Sequence, residues 1–209
     1  MEIIRLSEAS VSVTAARAVE VIRNGGVVLY PTDTLYGLGA DALSDEAVAA
    51  IYDIKGRDER KPLHAIMTDL DMAGEYADVT NDARLLVKEF GGKVTLILKK
   101  KEGIDTGVAR GIASFGIRIP DHDFCIAMCR AFGKPITATS ANRADMVPER
   151  SVETILAQLG HWARGIELVI DAGELSESKP STVVDFTQGR PLVLREGAVA
   201  ADSVWEVIQ

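Results

Sequence analysis

Hydrophobic positions near the start of the chain change period twice. Ile3-Leu6 reads as a strand. From about Val13 to Arg23 apolar residues return at three- and four-residue offsets, as on one face of a helix, with Ser12 or Thr14 placed to cap it and Gly25-Gly26 to end it. Val27-Val28-Leu29-Tyr30 is then a short, β-branched run that stops at Pro31, the pattern of a buried strand leading into a loop. Between Asp45 and Lys55, Val48, Ile51, Tyr52 and Lys55 share one helical face, so Lys55 ends that helix beside the next loop. Further strands are predicted at Leu63-Met67, Val94-Leu98, Phe115-Ile119, Ile136-Ala138, Leu168-Asp171, Thr182-Asp185 and Leu192-Leu194. Helices are predicted at Asp69-Tyr76, Asp82-Phe90, Asp123-Phe132, Val152-Leu159 and Ser203-Ile208. The alternation defines an α/β fold. The last three strands follow one another without helices between them, which predicts a twisted mixed sheet with flanking helices rather than a purely parallel one.

Lys99-Ile112, Arg143-Ser151 and Ala172-Pro180 are the most loop-like stretches, and none is long enough to separate domains, so residues 1–209 are expected to form one domain. Hydrophobic residues make up 47% of the 209 positions, enough for one sizeable core. No apolar run reaches the roughly 18 to 20 residues that span a bilayer, and the first residues lack the order of a secretory signal; no membrane contact and a cytoplasmic location are expected. The two cysteines, Cys125 and Cys129, lie in an apolar stretch and read as core, not as a disulfide or a metal site. A net charge of −8 disfavours general coating of nucleic acid, unless basic groups gather in one cleft.

Six segments carry candidate chemistry. Tyr30-Pro31-Thr32-Asp33-Thr34-Leu35-Tyr36-Gly37-Leu38-Gly39 places hydroxyls, a carboxylate and glycines just past a strand end, where α/β sheets bind ligands; a turn bonded to its own backbone explains it equally well. Lys55-Gly56-Arg57-Asp58-Glu59-Arg60-Lys61-Pro62 gathers four cations within seven positions, which suits a polyphosphate; a solvated helix end is the competing reading. Pro135-Ile136-Thr137-Ala138-Thr139-Ser140-Ala141-Asn142 runs from an apolar strand into small hydroxyls and an amide, able to hold phosphate oxygens or to cap a helix. Arg118, inside the otherwise apolar Ser114-Phe115-Gly116-Ile117-Arg118-Ile119-Pro120, needs a carboxylate partner from the protein or from a substrate. Ser181-Thr182-Val183-Val184-Asp185 and Leu192-Val193-Leu194-Arg195-Glu196-Gly197 add hydroxyls and a cation at two strand ends. Neither a P-loop nor a Gly-x-Gly-x-x-Gly fingerprint is present.

Taken in order, these segments closely resemble the YrdC-like threonylcarbamoyl-AMP synthase family over nearly the whole chain. The resemblance implies a twisted α/β sheet enclosing a positively charged cleft, with ATP, L-threonine and bicarbonate as substrates and Mg2+ accompanying ATP. It implies that Lys55, Arg57, Ser140 and Asn142 are catalytic and hold the ATP phosphates with Lys61, Ser114 and Arg195, while Thr32, Arg118 and Ser181 hold threonine. It assigns no metal ligand. The implied partner is the downstream machinery that transfers the threonylcarbamoyl group to tRNA, and contact with tRNA or double-stranded RNA is a further expectation.

The sequence departs from the family's pattern in places. Gly91-Gly92-Lys93 stands where a Pro-Gly-Pro is usual, and Arg143-Ala144-Asp145 follows Ser140-Ala141-Asn142 where Ser-Gly is common. Ile66 occupies the position of a threonine-side histidine found in many members, while His64 shares its strand face about 7 Å away. A diverged YciO-like paralogue and an RNA-binding module with a basic cleft are therefore the alternative readings.

Overall fold

The computed structural model describes residues 1–208. In chain order it contains β1 (Glu2–Arg5), α1 (Val11–Arg23), β2 (Val27–Tyr30), β3 (Gly37–Gly39), α2 (Asp45–Lys55), β4 (His64–Ile66), α3 (Leu70–Tyr76), α4 (Asn81–Phe90), β5 (Val94–Lys99) and β6 (Ser114–Arg118). There follow α5 (Asp123–Phe132), β7 (Ile136–Ser140), α6 (Val152–Leu159), β8 (Ile166–Asp171), β9 (Thr182–Asp185), β10 (Leu192–Arg195) and α7 (Ala201–Val207). The strands form one ten-stranded mixed sheet in the order β1-β8-β2-β3-β7-β4-β6-β5-β9-β10.

Alternation along the strands divides the apolar residues between two cores. Val27 and Leu29 of β2 enter the larger core with α2 and α6, whereas Val28 and Tyr30 enter a smaller one packed beneath α1 and α5. Both faces are covered there, which is why β2 reads as an unbroken apolar run. In the other half of the sheet Ala65, Leu96, Ile117 and Val184 also face the larger core. Their neighbours His64, Thr95, Gly116 and Val183 therefore face the opposite side, where α1 and α5 reach no farther than Ile66 and Ile136. The part of this face that the helices leave open becomes the floor of the cleft described below.

The mixed sheet is as expected, although its last three strands do not stay together. β9 and β10 pair antiparallel at one edge, while β8 runs parallel between β1 and β2 near the other. Gly37–Gly39, expected to be loop, is a strand pairing with both β2 and β7. It lacks side-chain bulk because Tyr30 lies against it: a Cβ on Gly39 would come within 2.8 Å of the Tyr30 ring. The Tyr30 hydroxyl donates across this strand to the Thr137 carbonyl at 3.1 Å.

Smaller corrections concern helix ends. Ser10, not Ser12 or Thr14, caps α1, its hydroxyl accepting from the Val13 amide at 3.3 Å; the Thr14 hydroxyl is buried without a partner among the described residues. α7 spans Ala201–Val207 instead of Ser203–Ile208. β7 continues through Ser140, so neither Ser140 nor Asn142 caps a helix; Ser151 caps the next one. Among the described residues, no helix is long and apolar enough to cross a membrane.

Candidate active site

The open half of the sheet face is walled by the segment after β2 and by the loops leading to β4 and β9. Thr32, Thr34, Arg57, His64, Thr95, Arg118, Ser140, Ser181 and Arg195 all line the resulting cleft. Six of the ten expected site residues thus meet there: Thr32, Arg57, Arg118, Ser140, Ser181 and Arg195.

Each wall has a local cause. The Thr32 hydroxyl donates to the Leu35 carbonyl at 2.7 Å and accepts from the amides of Thr34 and Leu35, closing a turn that keeps this hydroxyl at the cleft edge. Arg118 sends Nε to the Gly92 carbonyl at 2.7 Å and Nη2 to Asp33 at 2.7 Å and Thr34 at 2.8 Å. Its protein partner is thus Asp33, in an ion pair whose side chains are 11% and 12% exposed. Nη1 is left without a partner among the described residues, so one edge of the guanidinium still faces the cleft. Ser181 pairs its hydroxyl with Thr95 at 2.7 Å, while its carbonyl accepts from Arg195 at 2.8 Å. Arg57 is held by the carbonyls of Lys61 and Pro62 at 3.2 and 3.4 Å.

The remaining four expected residues stand elsewhere. Lys55 is 1% exposed and lies behind the cleft wall. Its ammonium donates to the carbonyls of Ser140 and Asn142, the latter at 2.8 Å, and to Asn142 Oδ1 at 3.3 Å. Burial, reinforced by Arg57 and Arg143, lowers its pKa to about 7. Asn142 is also buried: it accepts from the Ser140 hydroxyl and donates to the carbonyls of Arg143 and Met146 at 2.8 and 2.7 Å. Lys55 and Asn142 therefore position Ser140 and the following loop. That loop in turn satisfies the end of α2, where the Ala144 amide bonds the Lys55 carbonyl at 2.9 Å and Arg143, stacked 3.7 Å over Trp162, bonds the Ile54 carbonyl at 3.3 Å. Lys61 is exposed and pairs with Asp145 at 3.1 Å. Ser114 begins β6 on the same strand face as Arg118 but lies outside the cleft lining.

The residues left unassigned by the sequence are His64, Thr95 and Asp33. His64 and Thr95 lie on the open face by strand parity, a signal that becomes readable only once the unhelped half of the sheet is known. Burial and then Arg195, Arg57 and Arg118 depress the His64 imidazole to about 4. The arginines act on one another too, Arg195 being lowered by burial, Arg118 and Arg57. Three guanidinium groups thus line one cleft. Neither thiol serves it: Cys125 and Cys129 are buried against the carbonyls of Pro31 and Ile66, and burial drives both far above their ordinary range. Among the described residues no three His, Cys, Asp or Glu side chains cluster as metal ligands would.

The sequence profile of the Sua5/YciO/YrdC family, described as telomere recombination, matches residues 20–197. Threonylcarbamoyl-AMP synthase of Mus musculus is 35% identical over 199 residues, covering 92% of this chain and 69% of that protein. The Bacillus subtilis protein of the same name is 33% identical over 196 residues, covering 92% and 56%. Among solved structures, P. abyssi Sua5 complexed with L-threonine superposes with a TM-score of 0.88 at 30% identity, over 99% of this chain and 60% of that one. E. coli YciO gives a TM-score of 0.81 at 29% identity, over 95% and 96%. The chain thus spans less than two thirds of the length of the Bacillus and P. abyssi relatives. A match running from α1 to the residues just past β10 and taking in every wall of the cleft makes this chain a member of the Sua5/YciO/YrdC family.

Proposed function

We infer that this chain is an L-threonylcarbamoyladenylate synthase, a nucleotidyltransferase that makes threonylcarbamoyl-AMP and pyrophosphate from L-threonine, bicarbonate and ATP. The observation that carries this reading is the convergence of Arg57, Arg118 and Arg195 with the hydroxyls of Thr32, Ser140 and Ser181 on one cleft. Threonine belongs on the Arg118 side, where the open guanidinium edge suits its carboxylate, with Thr32 and Ser181 beside it. The naming of the mouse and Bacillus relatives, and the threonine bound to P. abyssi Sua5, support threonine as a substrate. The triphosphate belongs beside Arg57, Ser140 and Arg195.

In this reaction the amine of threonine takes up carbon from bicarbonate to give a carbamate. A carbamate oxygen then attacks the α-phosphorus of ATP, and pyrophosphate leaves. The chain's own work is positioning and stabilisation of phosphate charge by fixed cations, which requires no covalent protein intermediate. Magnesium suits a site without a carboxylate cage, since it binds readily through substrate phosphates and water; it would help neutralise the leaving pyrophosphate. The product's consumer is a tRNA-modifying transfer system, and any direct tRNA contact would use this same face.

A YciO-like activity is the second reading, favoured by the near-complete mutual coverage with YciO and by Arg143 and Lys93. Pyrophosphate release with ATP, bicarbonate and magnesium, with and without threonine, separates the two. Release that requires threonine establishes the synthase. ATP binding without threonine-dependent release establishes the alternative.

A further inference from the structure

His64 occupies the middle of the cleft floor, in register with Gly116 of β6 on one side and Ala138 of β7 on the other. The ring lies across Gly116, where a Cβ would come within 2.4 Å of its Cδ2 atom; any larger residue at 116 would displace the imidazole. Among the described residues none bonds either ring nitrogen, and burial and neighbouring charge lower its titration. The charged groups that face it are Arg195 from β10, Arg57 from the loop after α2 and Arg118 from β6. Its β7 neighbour Ala138 brings no charge, and the Tyr30 hydroxyl is committed to the Thr137 carbonyl. A neutral imidazole with a free lone pair, ringed by guanidinium groups, is an arrangement the anion-binding role alone does not need.

Resting on the synthase reading, we propose that His64 is the base that takes a proton from the ammonium group of the bound amino acid. The ammonium N–H bond breaks, the proton goes to a ring nitrogen, and the freed amine lone pair forms a bond to the bicarbonate carbon. Bicarbonate's C–OH bond breaks, and the hydroxide leaves as water with a second proton from the nitrogen. The product is the carbamate, and the imidazolium returns its proton to solvent after turnover. Binding also tunes the base. In the empty cleft three cations disfavour protonation of His64; a substrate carboxylate and a triphosphate bring negative charge to the same cations and cancel that effect. The imidazole therefore becomes a better proton acceptor as the substrates arrive.

Two measurements on the full chain test this. By NMR of histidine-labelled protein, the His64 resonance, identified by its loss in His64→Gln, should titrate near pH 4 in the free protein. It should titrate at least about one pH unit higher with a non-hydrolysable ATP analogue, magnesium and threonine bound. No upward movement overturns the proposal. In the second measurement, His64→Gln should keep ATP affinity within about threefold yet lose on the order of 100-fold in threonine-dependent pyrophosphate release at pH 7. That loss should shrink toward pH 9.5, where the substrate amine sheds its proton unaided. An equal loss at every pH means that His64 only positions substrate, and also overturns the proposal. A wild-type protein that binds ATP but releases no pyrophosphate with threonine refutes the synthase reading instead; the nucleotide-dependent titration, which needs no turnover, then decides whether His64 responds as a base.

Discussion

The Lys55 ammonium donates to the Asn142 carbonyl at 2.8 Å from a position only 1% exposed, tying the end of α2 to the end of β7. A cation that could have met a phosphate instead sets the backbone that presents Ser140. Lys55→Met removes the donor from three oxygens in a dry site and should lower ATP affinity about tenfold or more by loosening residues 140–146. Calorimetric titration with ATP checks this, and unchanged affinity would mean that the loop holds itself.

The same lysine makes stability depend on pH. Its proton leaves the folded chain near pH 7 but the unfolded chain only near 10.5, so between those values the unfolded state binds more protons. Stability should therefore rise with pH across that window, because the penalty for burying the charge disappears. Melting temperatures from pH 7 to 10 should climb more steeply in the wild type than in Lys55→Met; parallel curves would show that the acceptor oxygens keep Lys55 charged.

Arg118 and Asp33 form the ion pair best shielded from water, and breaking it should cost more than breaking a surface pair. Arg118→Met leaves the Asp33 carboxylate buried and uncompensated, at about 3 kcal/mol. Adding Asp33→Asn should return part of that loss. Urea denaturation of the two single variants and the double variant measures the coupling, and additive effects would rule it out.

Arg57→Ala and Arg195→Ala each remove a cation that faces the cleft while leaving the core untouched. Each should weaken ATP binding by about tenfold or more, at nearly unchanged melting temperature. Neither change should alter threonine affinity as much as Ser181→Ala does. ATP affinity preserved in both arginine variants would move the triphosphate elsewhere.

Gly39→Ala places a methyl group against the Tyr30 ring and should destabilise the fold by about 1–3 kcal/mol through overpacking. Tyr30→Phe should not rescue it, since the contact is with the ring carbons rather than the hydroxyl. Thermal unfolding of the two variants and their combination checks this.

Much of the fold was legible because strands and helices buried against cores carry their period in the sequence: β2, α2 and α5 lie where apolar spacing places them. β3 was not, because two of its three residues are glycines chosen by the nearby Tyr30 ring, a tertiary cause that leaves no local pattern. The site divides in the same way. Order along the chain brought Thr32, Arg57, Arg118, Ser140, Ser181 and Arg195 together, but order does not say which way a side chain points. Lys55 and Asn142 turned inward because the carbonyls at the end of β7 needed donors, and the next loop needed tethering. The carboxylate expected for Arg118 was three residues from the start of a segment already singled out, at Asp33, but nothing in the sequence pairs the two across 85 positions.

β7 is bonded to β3 on one side and β4 on the other, and it ends on Ser140. A floor stitched along both edges of its middle strand has no seam on which its two halves could fold together. Any closure over the cleft would therefore come from its walls, the segment after β2 and the loops leading to β4 and β9. New specificity in such a molecule would be acquired there, by exchanging the walls while the floor stays as it is.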